Sequence, residues 1–293
     1  MAWRTDLALE ARTRCPKIQG VEEQCEHFAG IDISRIAVMT EEAEERLGKP
    51  RGRYVTLTFP KDFFSDPRCR EEGAKRLARE IAALLPQGEV LLIGLGNRKV
   101  TPDALGPKTA EGILVTRHLL THCKEVLSCE VRSVAAFPTG VMGVTGIETA
   151  EAVTALVKTL RPAAVVAVDA LAALDSEHIA AMVQLNDTGI SPGAGVGNFR
   201  KSLNRETLGV PVLGLGVPLV LSAEAILESA LRRKGQTHDI QTLCDGLEET
   251  FLSMVVTPKD IDALVQDAAK LLSHGLNLAF FGEDWETLCS LLP

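Results

Sequence analysis

The fold is decided by a stretch that begins with the apolar run EVLLI (residues 89–93) and continues as GLGNRKVTPDALGP (residues 94–107). A short, wholly apolar run of this kind is typical of a strand in a parallel sheet whose two faces are both covered. The glycines that follow indicate a sharp turn, and the turn soon reaches a carboxylate, Asp103. The stretch could therefore begin a nucleotide-binding loop or present an acid to a cleft.

The nucleotide-binding interpretation fits the sequence poorly. Gly94 and Gly96 match the first two glycines of the GxGxxG fingerprint, but residue 99 is a lysine, and Asp103 would place negative charge beside a pyrophosphate. No P-loop motif of the form GxxxxGK followed by Ser or Thr is present. A simpler alternative is that the glycines only shape the turn and that Asp103 accepts free N–H groups at a helix N-terminus.

Apolar runs and helical periodicity alternate along the rest of the chain. We predict strands at 53–59, 89–93, 131–137, 163–168, 183–186 and 210–217, and helices at 71–85, 107–120, 148–159, 223–233 and 259–276. The last helix has Thr257 as a candidate N-cap and Gly275 at its end. This alternation predicts an α/β fold, a single domain with a mostly parallel sheet flanked by helices on both faces. Residues 1–50 are assigned to an N-terminal extension and residues 51–293 to the α/β domain.

The composition fits a large cytoplasmic protein. The chain has 293 residues, 46% of them hydrophobic, and its net charge of −8 does not favour a nucleic-acid-binding surface. Seven scattered cysteines without a CxxC pair indicate reduced thiols. Arg4 and Asp6 interrupt any signal-peptide core, and no apolar run reaches the roughly 18–20 residues of a membrane span. We therefore expect neither nucleic-acid binding nor membrane insertion.

Two carboxylates stand where catalytic groups gather in such a sheet, at the carboxyl ends of strands. Asp103 follows the strand 89–93 by way of the glycine turn, and Asp169 directly ends the predicted strand 163–168. If these strands are neighbours, both acids face one cleft. Two acids that share a site cannot both ionise cheaply, so one can take a proton from water while the other protonates the leaving nitrogen of an amide. Each acid could instead be a helix cap.

Other catalytic arrangements have less support. His118 and His122 share a helix face but lack the glutamate of an HExxH zinc motif, and His178 is the remaining candidate ligand. No GxSxG motif occurs, and no cysteine has an evident histidine partner. The glycine-rich loop 188–198 is either flexible enough to approach a substrate backbone or an ordinary connection. We predict no bound metal and no cofactor.

Several long motifs together resemble one known family. They are RTDLALEA (4–11), GKPRGRYVTL (48–57), GLGNRKVTPDALGPK (94–108), FPTGVMGVTGIET (137–149), VVAVDALAA (165–173), NDTGISPGAGVGNFRK (186–201), ETLGVPVLGLGVP (206–218) and MVVTPKDID (254–262). Over nearly the whole chain these motifs resemble the spore germination proteases. The resemblance implies a fold similar to that of the hydrogenase-maturation endopeptidases.

The resemblance also implies an activity and its residues. It implies an endopeptidase that degrades the small acid-soluble, DNA-protecting proteins of bacterial spores, made as a self-processing zymogen and assembled as a homotetramer in the cytoplasm of the spore or forespore core. In that family the acids of the TPDALGP and DALAA motifs are the proposed aspartic pair, and they correspond to Asp103 and Asp169. The stretch RTDLALE resembles the self-cleavage region, with the bond between Asp6 and Leu7 as the candidate for cleavage.

Backbone N–H groups of two glycine-rich turns are candidates to stabilise the oxyanion of amide hydrolysis. They belong to Gly96 and Asn97 after the first strand of the opening stretch, and to Gly193, Gly195 and Gly197 in the loop 188–198.

The chain departs from the family pattern in three places. Ser191 and Ala194 stand where DTGIHPGSGVGN is usual, so an obvious third ligand for a metal is missing. The N-terminus before Arg4 and the region 234–253 are shorter than usual. Two alternatives stay open: a metal-dependent maturation peptidase that acts on one partner protein, and a catalytically silent protein that binds spore proteins without cutting them.

Overall fold

The apolar run 89–93 lies within a large sheet in a computed structural model that describes residues 5–60, 63, 66–122, 131–193, 201–233, 251, 254–283 and 285–291. In these residues nine strands make up the sheet. They are β1 (Val21–Phe28), β2 (Ile31–Val38), β3 (Gly52–Thr58), β4 (Val90–Leu95), β5 (Val134–Gly140), β6 (Ala164–Ala173), β7 (Met182–Asn186), β8 (Val212–Ser222) and β9 (Val255–Val256).

The sheet has a parallel part and an antiparallel part. Its order is β1-β2-β3-β7-β8-β6-β4-β5, with β9 paired to the end of β8. The strands β5, β4, β6 and β8 run parallel, whereas β7, β3, β2 and β1 continue the sheet with antiparallel pairings. Helices lie in the connections from β4 to β5 and from β5 to β6, as the alternating pattern predicted, whereas the connection from β6 to β8 includes β7.

Helices lie on both faces of the sheet. They are α1 (Ala8–Arg14), α2 (Glu41–Leu47), α3 (Pro67–Leu84), α4 (Leu105–Glu111), α5 (Arg117–His122), α6 (Met142–Thr145), α7 (Thr149–Leu160), α8 (Arg205–Leu208), α9 (Ala223–Arg233), α10 (Ile261–Phe281) and α11 (Trp285–Leu291). The predicted fold class, a single α/β domain with both sheet faces covered, is confirmed. Within the described ranges, no helix is both long and apolar enough to span a membrane.

Alternating side chains of the parallel strands divide the core into two layers. On one face Leu92 of β4 packs with Leu77 of α3 and Leu272 of α10, all three fully buried. On the other face Ile93 of β4 packs with Val153 of α7. Each such side chain contributes about 1.5–3 kcal/mol when it leaves water, so the two layers hold β4 and β6 rigidly in the middle of the sheet.

The structure corrects the predicted helix 107–120, which is interrupted. The helix α4 stops at Glu111, and a separate helix, α5, starts at Arg117. The buried side chain of Asn277 on α10 stabilises the break, because its Nδ2 donates to the Gly112 carbonyl and its Oδ1 accepts from the Leu114 N–H, each at 3.0 Å. These contacts come from a distant part of the chain, so local periodicity could not reveal them.

The bounds predicted for the helix 259–276 are also wrong. Its N-cap is Asp260 rather than Thr257, and it runs to Phe281. Gly275 lies inside the helix because the helix packs tightly on α3: a Cβ at this position would lie 3.2 Å from the carbonyl oxygen of Ala74. This glycine permits close helix packing and does not end the helix.

Residues 21–38, which the sequence analysis placed in the N-terminal extension without assigning strands, form the hairpin β1–β2. Ala29 and Gly30 both adopt positive φ, as a two-residue hairpin turn requires. Most residues of β1 are partly or fully exposed, so its side chains show no apolar alternation. Pairing of β2 with β3 joins the hairpin to the sheet.

Candidate active site

Asp103 lies on a single 3-10 turn (Thr101–Ala104) that follows the glycine turn after β4. Its Oδ2 accepts a hydrogen bond from the Asn97 backbone N–H at 2.8 Å. Gly96 permits this arrangement, since its φ is +111° and a Cβ there would lie 2.0 Å from the Asp103 carbonyl oxygen. The glycine thus allows a close backbone contact that brings the carboxylate to the strand end.

Asp169 lies inside β6, so the prediction that the strand ends at residue 168 is wrong. The strand continues because β8 remains paired with β6 as far as Ala173. Asp169 is only 7% exposed, and its Oδ1 accepts a hydrogen bond from the Ala170 N–H at 2.9 Å. A residue within a strand cannot cap a helix, so that alternative no longer applies to Asp169.

Asp169 lies in β6, and Asp103 lies on the turn that follows the neighbouring strand β4. The strands β4 and β6 pair up to Gly94 and Val168, so Asp169 comes one residue after the last pair and Gly96 comes two residues after it. The 3-10 turn that carries Asp103 also contacts β6. Adjacent strands lie about 4.8 Å apart. The condition on which the paired-acid hypothesis depended, that the two strands be neighbours, is therefore met.

A tightly packed glycine on β8 lies between Asp169 and Gln184 in the sheet. Gly216 pairs with Asp169 of β6 on one side and with Gln184 of β7 on the other. A Cβ on Gly216 would lie 2.4 Å from the Asp169 carbonyl oxygen and 2.7 Å from Leu171 Cγ. Residues in register on adjacent strands point to the same face. The side chains of Asp169 and Gln184 therefore flank a position where β8 contributes no side chain.

The N-terminal segment crosses this face of the sheet. Asp6 donates its N–H to the Ala172 carbonyl at 3.1 Å, and its Oδ2 accepts the Ala172 N–H at 2.8 Å. Gln184 Nε2 donates to the Asp6 carbonyl oxygen at 2.7 Å, and Gln184 Oε1 accepts the Ala8 N–H at 2.6 Å. Leu7, between them, is fully buried in an apolar cluster with side chains of β6, β7 and α9. Both residues of the predicted cleavage bond are thus held over β6 and β7.

Two charged side chains, those of Asp6 and Lys49, lose hydration where this segment packs against the sheet. The ammonium of Lys49 donates a hydrogen bond to the Thr5 carbonyl at 2.6 Å. Burial raises the pKa of the Asp6 carboxyl above its ordinary value, although the charge of Lys49 and the bond from Ala172 oppose this. Burial also lowers the pKa of Lys49, against the attraction of Asp6 and Glu10. Both shifts have one physical cause, the loss of hydration of the charged form.

Glu10 attaches α1 to the loop after β6. It is 5% exposed, and its carboxylate accepts the backbone N–H groups of Leu174 and Asp175 at 3.0 Å. His178 Nδ1 lies 2.6 Å from Glu10 Oε1. Burial disfavours the charged imidazole, but the hydrogen bond and charge of Glu10, with the charges of Asp175 and Glu177, outweigh it and raise the pKa of His178 above 6.5. This pair joins the N-terminal segment to the strand that carries the candidate acid.

Sequence reasoning missed Gln184, Lys49 and Glu10. The position of Gln184 between Val183 and Leu185 in the strand MVQLN (182–186) was a usable signal, because buried polar side chains need specific partners. Lys49 and Glu10 had no such signal, since both stand in polar sequence.

Of the three oxyanion donors predicted in the loop 188–198, one lies within the described residues. Gly193 has a φ of +73° and follows the bridge between Ile190 and Leu203, whereas Gly195 and Gly197 lie outside the described residues.

The three histidines considered as metal ligands lie on different elements. His118 and His122 are on α5, and His178 follows β6 and bonds Glu10. In the part of the chain that the structure describes, no group of three His, Cys, Asp or Glu side chains could hold a metal ion.

The sequence is similar to proteins of one family over most of its length. The family model described as germination protease matches residues 4–233. Similar curated proteins include the germination proteases of Caldanaerobacter subterraneus subsp. tengcongensis (40% identical), Clostridium acetobutylicum (34%) and Bacillus subtilis (34%). Each alignment covers 94% of this chain, and they cover 93%, 94% and 92% of these relatives in turn.

A solved structure, that of a NiFe hydrogenase maturation protease from Thermococcus kodakarensis KOD1, is also similar to the chain. The TM-score is 0.36 and the sequence identity is 17%, over 67% of this chain and 98% of that one. A similarity at this level carries no conclusion about function.

Proposed function

The chain belongs to the germination protease family, and we propose that it is the endopeptidase that begins the degradation of small acid-soluble, DNA-protecting spore proteins during germination. Membership of the family makes the chain a peptidase. The choice of spore DNA-protecting proteins as substrate is supported by the motif resemblance. The observation on which the proposed chemistry rests is that the turn carrying Asp103 follows β4 and contacts β6, the neighbouring strand that carries Asp169.

The proposed mechanism is hydrolysis by a water molecule held between the two acids. One acid is ionised and takes a proton from the water as it attacks the amide carbon, and the other is protonated and gives its proton to the leaving nitrogen. The buried position of Asp169 supports this sharing of one proton, since two charges in a dry site repel strongly. Backbone N–H groups near Gly96 or Gly193 are proposed donors to the oxyanion.

The test is digestion of a spore DNA-protecting protein by the wild type and by the Asp103→Asn and Asp169→Asn variants. Each substitution removes a carboxyl that the mechanism needs, so we expect a loss of at least about 10³-fold in turnover with the fold intact. Asp32→Asn is the matched control, because Asp32 is exposed on β2, away from the candidate acids. Turnover near the wild-type rate in either of the first two variants would exclude the dyad.

We also propose that the chain is a zymogen that cuts its own Asp6–Leu7 bond. The docking of Asp6 on Ala172, three residues beyond Asp169 in the same strand, supports this. In this view the propeptide is the part of the extension before Leu7, whereas residues 21–38 belong to the sheet. Incubation at mildly acidic pH should yield a chain that begins at Leu7, as determined by mass spectrometry. A persistent full mass in an active preparation would contradict the proposal.

The motif resemblance further supports a homotetramer in the cytoplasm of the spore or forespore core. Four chains of 31.5 kDa give about 126 kDa (4 × 31.5). Light scattering of the purified protein should give this mass, and a mass near one or two chains would refute the tetramer.

A further inference from the structure

One buried amide contacts the chain on both sides of the Asp6–Leu7 bond. Gln184 is 3% exposed and lies in the middle of β7. Its Nε2 is 2.7 Å from the carbonyl oxygen of Asp6, and its Oε1 is 2.6 Å from the backbone nitrogen of Ala8. The carbonyl that Gln184 contacts is the one a water molecule must attack to cleave this bond.

The orientation of this amide is fixed by its two partners. The Ala8 nitrogen is a donor, so only the oxygen of the Gln184 amide can face it. A flipped amide would place two donors together at Ala8 and two acceptors together at Asp6. The NH₂ group is therefore committed to the Asp6 carbonyl.

The register of the sheet places this donor on the same face as a candidate catalytic acid. Gln184, Gly216 and Asp169 are aligned across β7, β8 and β6, so the two outer side chains start about 10 Å apart, two strand spacings. Gly216 adds no side chain between them. The Leu171 side chain lies over Gly216, where a Cβ would meet its Cγ at 2.7 Å, and packs with Leu7 in one apolar cluster. The amide of Gln184 therefore meets the Asp6 carbonyl beside apolar side chains, where a hydrogen bond to a developing charge is stronger than in water.

We propose that Gln184 is a catalytic residue of the self-cleavage step, which polarises the Asp6 carbonyl and stabilises its oxyanion. The inference rests on the proposed self-processing. Water adds to the Asp6 carbonyl carbon while the ionised acid takes a proton, and the electron pair of the C=O bond moves to the oxygen. The hydrogen bond from Nε2 then becomes charge-assisted and stronger. When the C–N bond breaks, the protonated acid supplies the proton to the Leu7 nitrogen, which leaves an acid and an amine.

The experiment compares self-cleavage of the full chain in the wild type and in Gln184→Glu. A carboxylate has the shape of the amide but cannot donate a hydrogen bond, so we expect cleavage at neutral pH to fall about 10²- to 10³-fold, as for other oxyanion donors. A protonated carboxyl can donate again, so the ratio of variant to wild-type rate should rise as pH falls. The charged groups of Asp6, Glu10, Lys49, Asp103 and Asp169 are present in both chains, so the ratio compares two chains that differ only at residue 184.

Two controls make the result decisive. Gln24→Glu introduces the same change at an exposed position of β1 and should cleave like the wild type. Gln184→Met replaces the amide with an apolar side chain of similar length, so it tests the loss of the donor if Q184E does not fold. The rate of self-cleavage in Q184M, relative to the wild type, should be reduced by the same factor at every pH.

The outcomes separate the two proposals. A wild-type chain that stays intact while it digests a spore protein refutes self-processing and with it the role of Gln184. A wild-type chain that cuts itself, together with variants that cut at the same rate, overturns only the role of Gln184. An equal loss in Q184E at all pH values would show that the side chain merely holds the segment in place, and would also overturn the proposal.

Discussion

Replacement of Gly216 by alanine tests whether the close packing of β8 against β6 at this glycine matters for the site. The added methyl would lie 2.4 Å from the Asp169 carbonyl oxygen, and Cβ atoms essentially never come closer than 3.0 Å to such an atom. The backbone of β6 or β8 must therefore move by at least 0.6 Å (3.0 − 2.4). The movement occurs at the strand pair that positions Asp169 opposite Gln184.

The expected magnitudes follow from this displacement. Overpacking a dense interior costs roughly 1–3 kcal/mol, and the smaller backbone entropy of alanine in the unfolded chain offsets about 0.5–1 kcal/mol. We expect the free energy of unfolding to fall by up to roughly 2.5 kcal/mol. Turnover of a spore-protein substrate should fall further, by about 10- to 100-fold, since small displacements of catalytic groups have large effects on rate.

The assay is guanidinium unfolding at one fixed protein concentration, together with substrate digestion under conditions where the variant stays folded. Gly143→Ala is the stability control, because a Cβ at Gly143 meets nothing within 4 Å and φ is not in the positive region. That control should leave stability unchanged or raise it by up to about 1 kcal/mol. Wild-type stability and turnover in Gly216→Ala would refute the packing argument.

Two further substitutions test the surroundings of the site. Because the pKa of His178 is raised above 6.5 by Glu10, the pair stabilises the folded chain fully below about pH 6.5, and this contribution, on the order of 1 kcal/mol, is lost as pH rises through the folded-state pKa of His178. His178→Ala should remove that part of the pH dependence of unfolding, and an unchanged dependence would contradict the assignment. Gly96→Ala should abolish most of the turnover, because its Cβ would meet the Asp103 backbone at 2.0 Å. Gly146→Ala shares the positive φ but meets nothing within 4 Å, so it should lose only about 1 kcal/mol of stability and keep full activity.

Much of the sheet could be predicted because its central strands are short apolar runs. The runs at 89–93 and 163–168 correspond to β4 and β6, and the predicted helix 223–233 coincides with α9. Strands buried on both faces carry a strong signal in a single sequence. The end of β6 was predicted too early because its last pairings depend on β8, which a local pattern does not contain.

The candidate site could be predicted only in part. Asp103 and Asp169 could be predicted as candidate catalytic acids because each follows an apolar run that predicts a strand. The contacts of Gln184 with Asp6 and Ala8 join residues that are 178 and 176 positions apart. They form only when the N-terminal segment packs against β6 and β7. No spacing or periodicity encodes such a contact, so it became visible only in three dimensions.

The complete burial of Leu7 has a consequence for the products of self-cleavage. Cutting the Asp6–Leu7 bond would create an amine with an ordinary pKa of about 8 and a new carboxyl group beside the apolar cluster that holds Leu7. Two fresh charges in an apolar cluster are strongly unfavourable, and the Asp6 side chain already resists ionisation there. Separation of the cut ends would let both new charges reach solvent, which favours the cleaved state. Once the fragment that ends at Asp6 has left, the Ala172 backbone and the Gln184 amide, which had bound it, would be available to the backbone of a second peptide.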